Sequence, residues 1–200
     1  MVYNPKRYIL SGTPGSGKTS LIRLLEDKNF FVVEEAATDI ILLEQMLGCD
    51  EPWSQASFID KIINLQKRRQ LIANFIPSSI QFFDRSPLCT CALAKYLDFK
   101  ISDKLKRELE RIEKNSIYEK RVFFIENLGF VQKTNARKIS LEEALKFEKI
   151  HKQIYSEFNY ELICIPADNI EKRLIKVVNE INKNNKEQIN SENDFICSND

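Results

Sequence analysis

Short apolar runs of strand length alternate along the chain with longer segments in which apolar residues recur every three or four positions. The strand-like runs cover residues 7–11, 30–35, 80–84, 121–125 and 161–165. The helical patterns cover an amphipathic stretch after residue 18, then 38–47, 54–76, a segment ending at 97, 102–115, 140–158 and 169–181. Strands that alternate with helices need crossover connections, which favour a parallel sheet. The pattern therefore predicts an α/β fold in which helices cover both faces of a five-stranded, mainly parallel sheet.

Capping residues support several of the predicted helix ends. Ser102 can cap the charged helix that follows it. Ser140 with Glu143 has the spacing of a capping box. Gly48 and Pro77 are expected to end the helices that precede them, because glycine favours the C-terminal turn and proline cannot continue a helix.

The chain becomes strongly polar after residue 182, where residues 183–194 read KNNKEQINSEND. The large apolar residues from there to residue 200 are Ile189, Phe195 and Ile196. Such a segment buries too little apolar surface to offset its ordering entropy. We therefore expect one domain over residues 1–182 and a polar C-terminal tail over residues 183–200.

Eight residues directly after the first strand, GTPGSGKT at 12–19, match the pattern G-x-x-x-x-G-K-[ST]. In this motif the glycines let consecutive backbone N–H groups face phosphate oxygens, the lysine reaches the β- and γ-phosphates, and the hydroxyl binds Mg²⁺. A strand before it and an amphipathic helix after it are the context the motif requires. We expect the nucleotide to be bound by Gly12, Thr13, Pro14, Gly15, Ser16, Gly17, Lys18, Thr19 and Ser20, with Thr19 on the metal.

Charged residues follow the second and third strands. The third strand ends in Asp84, which can hold Mg²⁺ or accept a proton, and Arg85 follows it directly. The second run ends in Glu34 and Glu35. Because parallel strands share one carboxyl edge, these groups and the phosphate loop should lie in one crevice. Asp84 as a simple helix cap and the glutamates as a solvated strand end remain open alternatives.

Composition narrows the classes of partner. Lysine plus arginine (30) nearly balance aspartate plus glutamate (29), which gives no support for a nucleic-acid binder. No apolar run approaches the roughly 20 residues that span a bilayer, and the first residues do not form a signal peptide. We expect a cytoplasmic protein without membrane insertion, and its oligomeric state stays open.

Missing motifs exclude two classes of P-loop protein. The sequence contains neither the N-K-x-D guanine-reading motif nor a D-x-x-G switch, which disfavours a Ras-like GTPase. The acidic pair expected after the third strand of a motor ATPase is replaced by Asp84 and Arg85. The sequence does not decide between ATP and GTP.

Three segments carry a resemblance to a known family: GTPGSGKTSLIRLLEDKNFFVVEEAATDII, FFDRSP and NARKISLEEALKFEKIHKQIYSEFNYELICIPADNIEKR. Together they resemble small P-loop proteins described as AAA domains, which are similar to nicotinamide riboside kinase domains. The acidic second strand and the D-R-S sequence are also similar to deoxynucleoside kinases. The resemblance implies a strand order of 2-3-1-4-5 and phosphoryl transfer from ATP to a small acceptor.

The resemblance further implies a lid that carries an arginine, before the helix that precedes the fifth strand. The matching segment lies near residues 132–139, with Arg137 in the place of the lid arginine. The doubled arginine of the family reads here as Ala136, Arg137 and Lys138. A cation that closes over the γ-phosphate would stabilise the transferring group.

We predict a Mg²⁺-dependent phosphotransferase that uses ATP (or GTP) and acts on a nucleoside-like or other small hydroxylated acceptor. Lys18 and Arg137 would stabilise the phosphoryl group, and Thr19 and Asp84 would hold the metal. Glu34 or Asp84 would accept the proton of the acceptor, and Arg85 would orient it. The alternative is a nucleotide-binding regulatory module that hydrolyses slowly and acts through a protein partner.

Overall fold

The five strands form one parallel sheet in the order β2-β3-β1-β4-β5, as predicted. A computed structural model of the chain describes residues 3–129 and 140–197, of which 184–197 are described as helical backbone alone. The strands are β1 (Lys6–Ser11), β2 (Phe31–Val33), β3 (Ile80–Asp84), β4 (Arg121–Ile125) and β5 (Glu161–Ile165). Because all the strands run the same way, their carboxyl ends meet at one edge of the sheet.

Helices cover both faces of the sheet, which confirms the predicted three-layer α/β fold. They are α1 (Lys18–Asp27), α2 (Ala36–Met46), α3 (Ser57–Ala73), α4 (Pro87–Tyr96), α5 (Asp103–Lys114), α6 (Leu141–Glu157) and α7 (Ile170–Cys197). A short 3₁₀ helix, Pro52–Ser54, precedes α3. Among the residues described, no helix combines the length and the apolar character that crossing a bilayer requires.

Side chains that alternate along the central strand divide the core into two layers. Tyr8 and Leu10 are buried on the face covered by α1 and α7, where they pack with Leu21 and Val177. Ile9 points to the opposite face and packs in a cluster that includes residues of α3, α4, α5 and α6. Burial on both faces explains why the central strands read as continuous apolar runs.

The predicted helix caps are present. The Ser102 hydroxyl accepts a hydrogen bond from the backbone N–H of Leu105 at 3.1 Å. Ser140 and Glu143 form the reciprocal capping box, with bonds of 3.2 Å and 2.7 Å. These caps fix the starts of α5 and α6.

Several helix and strand ends lie one to three residues from their predicted positions, for example in α3 (Ser57–Ala73), and two differences matter more. β2 ends at Val33, so Glu34 and Glu35 follow the strand instead of closing it. α7 continues past residue 181, its predicted end, to Cys197. No glycine or proline occurs between residues 170 and 200, and extending a formed helix costs far less than nucleating one.

Candidate functional site

The phosphate loop connects β1 to α1 at the carboxyl edge of the sheet. Gly12 has a φ of 137°, and a Cβ atom there would lie 2.3 Å from the Ile125 carbonyl oxygen. Gly17 has a φ of 79° and precedes the first turn of α1. Side chains other than hydrogen therefore cannot be accommodated at Gly12, because the loop backbone packs directly on the end of β4.

Two side chains from outside the loop bind its carbonyl groups. Arg173 of α7 donates from Nη1 to the Ser16 carbonyl oxygen at 2.7 Å and from Nη2 to the Glu126 carbonyl oxygen at 3.0 Å. Asn127, just after β4, donates from Nδ2 to the Pro14 carbonyl oxygen at 3.1 Å. The loop is thus held in shape from the side of β4 and α7.

Lys18 is buried, with 7% of its surface exposed. Burial, reinforced by the charge of Arg85, lowers the pKa of Lys18 to about 8, although Asp84 and Glu35 act to raise it. No carboxylate within the described residues forms an ion pair with this ammonium. The group is therefore a desolvated cation available to an incoming anion.

Asp84 ends β3 and is paired in register with Leu10 of β1. Its Oδ1 atom is buried and has no hydrogen-bond partner among the described residues. Burial and the nearby charge of Glu35 raise the pKa of Asp84 to about 6, against the opposing charges of Lys18 and Arg85. A buried carboxylate oxygen without a donor can bind a cation or a proton.

Arg85 and Glu35 form a partly buried ion pair beside Asp84. The Arg85 Nε atom donates to Glu35 Oε1, and the backbone N–H of Arg85 donates to the Leu10 carbonyl oxygen at 3.0 Å. Arg85 has a φ of 73°, a left-handed conformation that is unusual for a residue with a side chain. Burial acts to raise the pKa of Glu35, but Arg85, Lys18 and a 2.7 Å bond from the Thr38 hydroxyl lower it to about 2.

The two glutamates after β2 face different surroundings. Glu34 is exposed and accepts a hydrogen bond from Arg23 Nη2 at 2.8 Å, whereas Glu35 turns toward the site. Arg69 of α3 fixes this turn by donating to both glutamate carbonyl oxygens, at 2.9 Å and 2.7 Å, and by pairing with Asp39. Of the two acidic candidates, the structure therefore brings Glu35 to Arg85 and leaves Glu34 at the surface.

Three buried hydroxyl or carboxylate oxygens at this edge lack partners among the described residues: Thr13 Oγ1, Ser16 Oγ and Asp84 Oδ1. Buried polar atoms are normally hydrogen-bonded, so a set of exceptions in one place indicates a ligand position. Thr19 and Ser20 are exposed at the start of α1. Hard oxygen donors beside an unneutralised lysine fit the requirements of a magnesium triphosphate.

A buried hydroxyl and thiol cluster lies beneath the crevice and connects it to α6. Tyr155 contacts Cys89 at 3.0 Å and Ser86 at 3.3 Å, and Cys89 contacts Ser11 at 3.4 Å. These bonds join the residues at the ends of β1 and β3 to the helix that follows residue 139. Arg137 and the segment 132–139 lie outside the described residues.

Sequence reasoning missed Arg173, and it named Glu34 rather than Glu35 as a candidate base. Arg173 is in phase with Val177 and Ile181 on the buried face of α7, and an arginine in an apolar stripe is the signal that marks it. The choice of glutamate depends on where β2 ends and on Arg69, which is far away in sequence.

A family model described as an AAA domain matches residues 7–173, from the start of β1 to the arginine that binds the phosphate loop. The chain belongs to this AAA-domain family. A curated relative, the nucleotide-binding protein in the ptsN-ptsO intergenic region of Shewanella violacea, is 30% identical over 87 residues. That match covers 37% of this chain and 31% of the relative, so this AAA-domain chain spans about a third of the relative's length.

Solved structures with the same fold include a deoxyadenosine kinase and a NadR protein. Deoxyadenosine kinase from M. mycoides, solved with dCMP and dCDP, gives a TM-score of 0.60 at 12% identity, over 88% of this chain and 99% of that one. NadR protein in complex with NAD and AMP-PNP gives 0.62 at 17% identity, over 86% of this chain and 48% of that one. The AAA-domain chain therefore has a P-loop nucleotide-binding, kinase-like fold.

Proposed function

We propose that this chain is a Mg²⁺-dependent phosphotransferase that moves the terminal phosphoryl group of ATP to a hydroxyl of a small, nucleoside-like acceptor. The observation that carries the proposal is the partly buried Glu35–Arg85 pair beside two groups without a partner among the described residues, the Asp84 Oδ1 atom and the Lys18 ammonium. A module that only bound nucleotide would need the lysine and a metal-holding carboxylate such as Asp84, but not a second carboxylate beside it. The AMP-PNP in the NadR structure supports ATP as the donor.

The phosphate loop would bind the donor. Backbone N–H groups of residues 12–18 would hold the β- and γ-phosphates, and Lys18 would place its charge on the transferring group. Contact with phosphate restores a counter-charge to the buried lysine and so raises its pKa from about 8. Arg137 is proposed as the closing cation, on the resemblance stated above.

Asp84 and Thr19 would hold the metal. Asp84 offers an oxygen without a donor among the described residues, and its pKa is raised by burial, which outweighs the opposing charges of Lys18 and Arg85. When bound there, Mg²⁺ would supply positive charge against the charge that develops on the phosphoryl group in the transition state. Asp84 would be ionised in this state, because a neighbouring cation lowers the pKa of a carboxyl group.

Glu35 and Arg85 would bind the acceptor. Glu35 is ionised at neutral pH, so it can accept a hydrogen bond from the acceptor hydroxyl and then its proton. The acceptor oxygen forms a bond to the γ-phosphorus while the bond from that phosphorus to the bridging oxygen of ADP breaks. A weak base is sufficient because bond formation lags in a loose transition state. Arg85 has guanidinium nitrogens beyond Nε with which to orient the acceptor.

The test is steady-state phosphotransfer against a panel of nucleosides and ribosides, with Glu35→Gln, Asp84→Asn and Glu34→Gln variants. Asp84→Asn should raise the Mg²⁺ concentration needed for half-maximal rate at least about 10-fold. Glu35→Gln should lower kcat about 100-fold or more with the Mg²⁺ dependence unchanged. Glu34→Gln is the matched control, and it should retain the wild-type rate.

Wild-type rates in folded Glu35→Gln and Asp84→Asn proteins would contradict the assignment. Transfer to none of the acceptors, with nucleotide still bound, would favour a second candidate function. That candidate is a nucleotide-binding regulatory module, and it is favoured by the name of the curated relative, which states nucleotide binding and no acceptor. Stabilisation of the protein by an acceptor beyond that given by AMP-PNP alone would instead support the kinase.

A further inference from the structure

Three consecutive carbonyl groups of the phosphate loop accept hydrogen bonds from the side of β4 and α7, and the middle one, the Gly15 carbonyl oxygen, accepts from the Leu128 backbone N–H at 3.5 Å. Asn127 Nδ2 donates to the Pro14 carbonyl oxygen at 3.1 Å, and Arg173 Nη1 donates to the Ser16 carbonyl oxygen at 2.7 Å. The two donors come from different elements, the segment after β4 and the first turn of α7. Both contacts leave the loop on the side of β4, and the partnerless Thr13 and Ser16 hydroxyls belong to the same loop.

Because peptide units are planar, these contacts also determine the direction in which the loop N–H groups point. In a planar trans peptide the C=O and N–H bonds point to opposite sides. When Arg173 binds the Ser16 carbonyl on one side, the N–H of Gly17 is turned to the other side. In the same way, the bond from Asn127 to Pro14 turns the N–H of Gly15 away from β4. Glycine at both positions permits this, with φ angles of 84° and 79°.

Arg173 also places a positive charge under the loop. Arg173 is 2% exposed, and its two acceptors among the described residues are neutral carbonyl oxygens rather than carboxylates. A second hydrogen bond, to Glu126 at the end of β4, fixes the guanidinium plane relative to the sheet. A lysine could supply the charge but could not span two carbonyl groups, because only guanidinium presents a rigid fork of donors.

We propose that Arg173 and Asn127 are positioning residues of the phosphate cradle, which hold two alternate loop carbonyls outward so that the N–H groups of Gly15 and Gly17 face the bound phosphates. The proposal rests on the nucleotide binding proposed above. It assigns a binding role to α7, an element that otherwise serves only to cover the sheet. The contacts are to the backbone, so the effect concerns phosphate rather than base or acceptor.

The test is the dissociation constant of the full chain for Mg²⁺–AMP-PNP and for inorganic tripolyphosphate, measured by titration calorimetry. Arg173→Met should weaken both ligands by at least about 10-fold, the loss expected for misdirected charge-assisted hydrogen bonds. Arg173→Lys should recover only part of this loss. Asn127→Ala should weaken both ligands by about 3- to 10-fold, the size of a single neutral hydrogen bond.

The matched control is Arg121→Met. Arg121 of β4 pairs with Glu180 of α7 at 3.4 Å, so it also holds α7 to the sheet, but it does not contact the loop. This variant should lower the melting temperature and leave both dissociation constants within about 2-fold of wild type. Equal losses for tripolyphosphate and AMP-PNP separate a phosphate effect from a general loosening of the site.

The measured dissociation constants support or contradict the positioning role of Arg173 and Asn127. Folded Arg173→Met protein with wild-type affinity for both ligands would overturn the positioning role while leaving the proposed function intact. Failure of the wild-type protein to bind either ligand would overturn the proposed function itself. If Arg173→Met does not fold, Arg173→Lys and Asn127→Ala carry the test, and the double variant should be non-additive because both residues hold one loop.

Discussion

Both ends of the sheet bury polar side chains, but at the carboxyl end three buried oxygen atoms have no hydrogen-bond partner among the described residues. At the amino end, a set of side chains is joined by hydrogen bonds: Arg7, Gln70, Asn74, Gln81, Glu108 and Arg111. Arg7 Nε donates to Gln81 Oε1 at 3.1 Å, and Arg111 Nη2 donates to Gln70 Oε1 at 2.8 Å. We call this set the amino-end network.

The carboxyl end contains the phosphate loop and the charged residues after β2 and β3. Here Thr13 Oγ1, Ser16 Oγ and Asp84 Oδ1 are buried without partners in the described part of the chain. Polar side chains are therefore buried at both ends. Those of the amino-end network are hydrogen-bonded to one another, whereas these three oxygen atoms have no partner among the described residues. An unpartnered buried polar group costs about 1–3 kcal/mol, a cost that a fold tolerates where a ligand later supplies the partner. The comparison indicates that the amino-end network stabilises the fold and that the carboxyl end of the sheet binds a ligand.

The strongest test of this contrast is Lys18→Ala. We expect nucleotide affinity to fall by about 100-fold or more, since charge-assisted bonds to phosphate contribute on the order of 3 kcal/mol. The melting temperature should stay close to wild type, because Lys18 forms no described ion pair that folding depends on. Titration of Mg²⁺–AMP-PNP measures the first effect, and calorimetric melting the second.

Lys28→Ala is the control for that experiment. Lys28 follows the other end of the same helix and is exposed, so its removal should change neither quantity. Unchanged affinity in a well-folded Lys18→Ala protein would contradict the assignment of the carboxyl end as the nucleotide site.

A paired substitution compares the ends directly. Gln81→Met and Thr13→Val each replace a fully buried polar side chain by an apolar one of similar shape. Gln81→Met deprives Arg7 and the Ala73 carbonyl of bonds at 3.1 Å and 2.7 Å, and it should cost about 2–3 kcal/mol of unfolding free energy. Thr13→Val removes a hydroxyl without a described partner and should cost less than about 0.5 kcal/mol.

Urea unfolding of both variants measures the difference. Equal destabilisation would show that the Thr13 hydroxyl has a structural partner after all, and the contrast between the ends would fail. The m-values should stay at the wild-type value, which confirms that native and unfolded states are otherwise unchanged.

The sequence predicts the carboxyl end far better than the amino end. The phosphate loop is a continuous motif, and strands 3, 4 and 5 coincide with their predicted ranges because apolar runs and turn residues are local signals. The amino-end network joins residues as far apart as Arg7 and Gln81, and no local pattern records such pairs. The same limit explains Glu35, whose orientation depends on Arg69 of α3.

Other parts of the site were open for a different reason. Arg85 was predicted from its place after β3, but its left-handed backbone is set by the bond from its N–H to Leu10 and by the pair with Glu35. The polar composition after residue 181 indicates a solvated segment, but it does not decide where the helix ends. α7 continues beyond residue 181 because no helix-stopping residue follows. Whether Arg137 acts as a lid cation stays a prediction.

A substitution of Asp84 at the carboxyl end is expected to change the unfolding free energy less, and to increase it rather than lower it. Asp84→Asn should raise the unfolding free energy of the ligand-free protein by about 1–3 kcal/mol at pH 7–8. The pKa of Asp84 is raised from 3.8 to about 6 on folding, so the folded state holds a proton that the unfolded state has lost between these values. Stability of the wild type therefore falls as pH rises through this window, and the asparagine avoids that loss.

Urea unfolding at pH 4.5, 6 and 8 tests the sign. The advantage of Asp84→Asn should be fully present above about pH 6 and should shrink as pH falls toward 4. Added Mg²⁺–AMP-PNP should favour the wild type instead, because the metal supplies the missing positive charge. A variant less stable than wild type at pH 8 without ligand would show that Asp84 stabilises the fold.

The smallest effect is expected at the end of α7, which belongs to neither end of the sheet. Deleting residues 183–200 should lower the melting temperature by less than about 3 °C, which corresponds to roughly 1 kcal/mol for a chain of this size. Where the side chains of α7 are described, the buried positions, among them Arg173, Val177 and Ile181, precede the deletion, and Lys183 forms an exposed pair with Glu180. Nucleotide affinity should be unchanged because Arg173 is retained. Far-ultraviolet circular dichroism should report the loss of the helical turns alone. A fall of 10 °C or more would instead show that Phe195 and Ile196 pack against the domain, and that residues 183–200 belong to it.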